Sequence, residues 1–92
     1  MATLHFDTDA GRSTVSQLNV SSNELQSQLN TLSQRVNGMV GSEWIGNSAN
    51  QFQSKFQNWS QQLQQVMQNL ETLRQRLETE IADWEQAASA LN

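Results

Sequence analysis

The sequence predicts an all-α protein, an antiparallel two-helix hairpin that dimerises into a four-helix bundle. Three observations carry this prediction. Two apolar rows step mainly by three and four residues, the spacing of a seam that faces another helix. A break lies between them at residues 38–48, where three of the four glycines fall; glycine tolerates φ > 0 without steric cost and so punctuates periodic segments. Proline is absent from all 92 residues, which is compatible with long unbroken helices.

Residues 1–8 read as an extended arm, with Leu4 and Phe6 alternating around His5. Asp7, Thr8 and Asp9 offer side-chain oxygens for an N-cap, so helix 1 is expected over about 9–40. Its row is Val15, Leu18, Leu25, Leu29, Leu32, Val36 and Met39, with Ser22 in the missing place. Gly41 is a natural left-handed stop, with Gly38 an earlier alternative. A turn at about 41–47 holds Trp44 and Gly46. Helix 2 follows over about 48–90, opened by Ser48-Ala49-Asn50-Gln51, which fits a capping box. Its row is Ala49, Phe52, Phe56, Trp59, Leu63, Val66, Leu70, Leu73 and Leu77. The step to Ile81 is a second consecutive four, before Trp84, Ala88 and Leu91, and reads as a stutter that rotates the seam.

The rows test each other. An antiparallel register that pairs Val36 with Phe52 continues through Leu32 with Phe56, Leu29 with Trp59 and Leu25 with Leu63, down to Val15 with Leu73. Helix 2 then outruns helix 1, which brings Ile81 and Trp84 towards Leu4 and Phe6. A two-helix hairpin leaves Phe52, Phe56 and Trp59 poorly covered, so these three are expected at the core and dimer interface.

Composition limits the chemistry. One domain spanning 1–92 is expected, with a small core. Without cysteine there is neither disulfide nor thiolate, and one histidine, in the arm, supports no metal site or nucleophile–base pair. The glycines match no phosphate-binding loop. Catalytic residues, cofactors and metals are therefore not expected. The net charge is −4, and Arg12, Arg35, Lys55, Arg74 and Arg76 are too scattered for a phosphate-tracking stripe, which argues against nucleic acid as a partner. The start has neither the basic nor the apolar region of a signal peptide, and no apolar run approaches the roughly 20 residues of a membrane span.

The chain resembles the WXG family of early-secreted-antigen-like proteins. The likeness rests on Trp44-Ile45-Gly46 at the bend of a cysteine-free hairpin, and on the run to Phe52 followed by Phe56 and Trp59. It implies synthesis in the bacterial cytoplasm and export by a type VII secretion system to the outside or the cell surface. It also implies a homodimer or a heterodimer with a paralogue, handled by a membrane-bound secretion ATPase. Family members usually carry on one partner a C-terminal Tyr followed four residues later by Asp or Glu. This chain has no tyrosine, and four residues beyond Trp84 stands Ala88.

Trp44 reads equally as a plug at the end of the hairpin and as a docking residue. Glu78, Glu80, Asp83 and Glu85 gather where the helix dipole favours cations, with no Lys or Arg among the last fifteen residues. With Trp84 as apolar anchor, Glu80, Asp83 and Glu85 are therefore assigned to a recognition segment, and 78–92 to a mobile tail. Three function classes follow: a secreted interaction or adaptor protein, a structural coiled-coil module unrelated to secretion, and a membrane-active amphipathic protein. The third has no Lys/Arg-rich polar face to support membrane contact.

Overall fold

A computed structural model describes residues 4–90, so Leu91 and the last residue of the expected tail lie outside the described residues. Two helices, α1 (Thr8–Met39) and α2 (Asn47–Ala90), form the expected antiparallel hairpin. Asp7 caps α1: its backbone is extended and its carboxylate accepts the Ala10 N–H at 3.1 Å. The start of α2 differs from expectation. The helix begins at Asn47, and the Gly46 carbonyl accepts the Asn50 N–H at 3.2 Å, so Gly46 occupies the cap position. Ser48 therefore falls inside the first turn rather than at the cap, and the Ser48–Gln51 capping box is not formed.

The seam also differs, in an informative way. On α2 the shielded residues recur at Ala49, Gln53, Phe56, Ser60, Leu63, Met67, Leu70, Arg74, Leu77 and Ile81. On α1 the shielded line includes Gly11, Val15, Leu18, Ser22, Leu25, Leu29 and Val36. The α2 line alternates fours and threes without interruption, so the step from Leu77 to Ile81 is in phase and the expected stutter disappears. Relative to the predicted seam, α2 is rotated. Gln53, Ser60 and Met67 move inwards, while Phe52, Trp59, Val66 and Leu73 move to the flank. Small Ser60 and adaptable Met67 admit the close approach of one helix that a stack of phenylalanine and tryptophan obstructs.

The register shifts with the rotation. Pairing Val36 with Phe52 would set Asn37 opposite Gln51, yet the Gln53 amide Nε2 donates to Asn37 Oδ1 at 3.1 Å. The same register would set Gly11 opposite Leu77, whereas the side chain of Ile81 packs there. α2 does outrun α1, and Phe6 meets Trp84 edge to face with ring centroids 5.9 Å apart, as the sequence led one to expect.

Candidate functional site

The turn is a closed backbone knot. Val40 and Trp44 form a short parallel bridge, in which the Gly41 N–H donates to the Trp44 carbonyl at 2.9 Å. The Met39 carbonyl at the end of α1 accepts the Glu43 and Trp44 N–H groups, each at 3.0 Å, which satisfies an acceptor that a helix end otherwise leaves to water. Gly41 (φ +92°) and Gly46 (φ +133°) supply the reversals that this path needs. Gly38 stays helical, so the stop lies at Gly41. Trp44 leans on Phe52, with centroids 5.5 Å apart, yet remains partly open; Ile45 beside it is 77% exposed.

Along the flank of α2, Phe52, Trp59, Val66 and Leu73 follow one another at steps of seven and are 40–58% exposed. Phe56, on the inner seam, packs on Trp59 at 5.6 Å. On α1, Leu32 is exposed, while Leu18, Leu25 and Met39, which stand with it at steps of seven, are half-buried. Sequence reasoning placed all of these in one seam. Every three–four alternation contains two lines at steps of seven, so the spacing alone did not separate them.

The far end holds the remaining candidates, at the other extreme of a molecule 69 Å long. Acidic groups there are largely paired. Arg12 bridges from α1 to Glu85, Arg74 to Glu78 at 2.7 Å, and Arg76 to Glu80 at 3.4 Å; among the described residues Asp83 makes no ion pair. The hydrogen bond and charge of Glu85 push the Arg12 guanidinium further above its ordinary pKa. Arg74 also grips Glu71, donating from Nε at 3.0 Å, and this hydrogen bond lowers the Glu71 carboxyl below its ordinary range. The expected concentration of unopposed acid is therefore relieved by arginines drawn from outside the last fifteen residues. Residues 78–90 are helical, Ile81 is buried, and Trp84 is partly covered by Phe6. Gly11 and Arg12, which seat this end, carried no signal in the sequence. An open hollow of about 630 Å³ lies beside them, floored by Val15, Ile81 and Ala82.

The three sets of residues thus form two ends and a connecting flank. Among the described residues no three His, Cys, Asp or Glu side chains converge on a metal-binding position, and no helix is long and apolar enough to cross a membrane. Comparison with curated proteins and with solved structures gives no match. A family model described as proteins of 100 residues with WXG matches residues 4–89, all but the last residue of the hairpin and with Trp44 and Gly46 included; the chain therefore belongs to the WXG100 family, whose members are non-enzymatic proteins secreted by type VII secretion systems.

Proposed function

We propose that this chain is a secreted adaptor that pairs hairpin on hairpin into a four-helix bundle and presents its two ends to the secretion machinery. The observation that carries the reading is the outward apolar line Phe52, Trp59, Val66 and Leu73, which runs much of the length of α2 with nothing over it. Taking such a side chain from full exposure to full burial is worth about 1.5–3 kcal/mol, and a second hairpin laid along the flank covers the part still exposed. WXG100 proteins commonly form dimers, which accords with this. The partner is a second copy or a paralogue. Trp44 with Ile45 at the turn, and Trp84 with Glu80, Asp83 and Glu85 at the other end, are the contacts offered to the secretion ATPase. The destination is the cell surface or the outside.

Light scattering at tens of micromolar tests the pairing. A doubled mass, reduced to that of a single chain by Trp59→Glu with Leu73→Glu, is expected for the homodimer. A single-chain mass that doubles only with a co-expressed paralogue identifies the heterodimer, and a single-chain mass in both cases overturns the reading. Export in a host carrying the secretion system tests the ends. Trp44→Ala and deletion of 78–92 are each expected to stop export of chains that remain folded and paired.

A further inference from the structure

At Gly11 even a β-carbon is crowded. A β-carbon placed there would lie 3.0 Å from the Phe6 ring and 3.0 Å from the Ile81 side chain. The Phe6 ring is thus pressed on the bare backbone of α1, against Ile81, and edge-on to Trp84. The rest of the described arm takes little part: Leu4 is 84% exposed and His5 is exposed.

Resting on the reading of the α2 end as a recognition segment, we propose that the N-terminal arm is a strap that masks it. A partner would gain Ile81 and Trp84 by putting an aromatic or bulky apolar side chain of its own where Phe6 lies. Phe6 itself shows what the notch accepts: a flat ring that fits over a glycine and packs edge to face with an indole. The strap can lift without unravelling either helix. Its pivot, Asp7, caps α1 through the Ala10 N–H, a bond in which Phe6 has no part. The Arg12–Glu85 pair still ties the end of α2 to α1 when Phe6 leaves. Beyond the area the ring buries, an edge-to-face aromatic pair adds a roughly two- to tenfold bias to the closed state, and a partner's competing ring would replace both contributions.

Hydrogen exchange on the full chain tests the strap, with Phe6→Ala and Gly11→Leu as independent ways to release it. Leucine otherwise favours a helix over glycine, so Gly11→Leu needs the space of the Phe6 ring without weakening α1 intrinsically. Both variants are expected to speed exchange in 78–90 by at least about twofold, since the ring's burial is lost along with the ring pair, and to leave 50–75 unchanged. Unchanged exchange in 78–90 overturns the strap, and so does acceleration along the whole of α2, which would make Phe6 a general stabilising contact. Capture by the purified secretion ATPase tests the masking. Phe6→Ala is expected to raise capture, and Trp84→Ala in that background to remove the gain. A strap that lifts with no change in capture overturns the masking. Capture that rises but ignores Trp84→Ala overturns this recognition role for the end of α2, while the exchange result still stands for the strap.

Discussion

At the scale of single residues, the three glycines of the break do different things for different physical reasons. Gly46 has φ +133°, a region that side-chain-bearing residues rarely enter, with open space around the position where a β-carbon would lie. Its constraint is therefore conformational rather than steric contact. Gly46→Ala is expected to cost about 1–3 kcal/mol, the range for a residue held in a sparsely populated backbone region. Gly38 is helical and equally uncrowded, so Gly38→Ala should stabilise the protein by about 0.5–1 kcal/mol. Urea denaturation of the two variants checks the opposite signs; equal effects would show that the break behaves as a uniform flexible hinge. A glycine cluster was legible in the sequence as a turn. The assignment of positive φ to Gly41 and Gly46 was not, because it depends on the path by which Trp44 returns its carbonyl to Gly41.

At the scale of the element, α2 is a helix with two apolar lines sharing one ridge. Phe56, Leu63, Leu70 and Leu77 serve the inner seam, and Phe52, Trp59, Val66 and Leu73 stand beside them. Arg74 shows why a charge can occupy an inner position. Its stem lies along the seam while its head is held between Glu71 and Glu78, three residues before and four after. The hydrogen bond from Arg74 favours the ionised form of Glu71 and so depresses its pKa in the folded state. That contribution is complete above the ordinary value of 4.5 and is lost as pH falls through the lower, folded value. Acid titration of stability is thus expected to show a decline below pH 4.5 that Glu71→Gln flattens; superimposable profiles would show that this contact is absent in solution.

At the scale of the whole molecule, the hairpin is under-built. Its radius of gyration is 20.7 Å, against about 12 Å for a compact domain of this length. Apolar burial is confined to a few places, among them Leu29, Val36, Met67 and Ile81. Inner and outer positions should accordingly respond differently to truncation. Leu29→Ala is expected to cost about 2–5 kcal/mol at any protein concentration. Trp59→Ala should instead abolish a rise of melting temperature with concentration, the signature of folding linked to association. Melting curves over a hundredfold range of concentration distinguish the two, and a Trp59→Ala effect as concentration-independent as that of Leu29→Ala would place Trp59 in the intrachain fold alone.

The sequence by itself determined the helices, the place of the bend, the antiparallel sense and the family. Each follows from local signals: apolar period, glycine punctuation, an N-cap aspartate and the Trp-Ile-Gly triplet. Even the meeting of Phe6 with Trp84 could be read from the difference in length between the helices. Tertiary structure alone decided the rotation of α2 about its axis, and with it the register. Two apolar lines three residues apart satisfy the same periodicity, and the pattern cannot say which of them faces the single helix present. Side-chain volume resolves the choice, because Ser60 and Met67 let α1 approach where Trp59 and Phe52 would hold it off. For the same reason the arginine partners of Glu80 and Glu85 were not visible in the acidic run. Arg76 is one helical turn back, and Arg12 lies across the hairpin, where only packing brings it near.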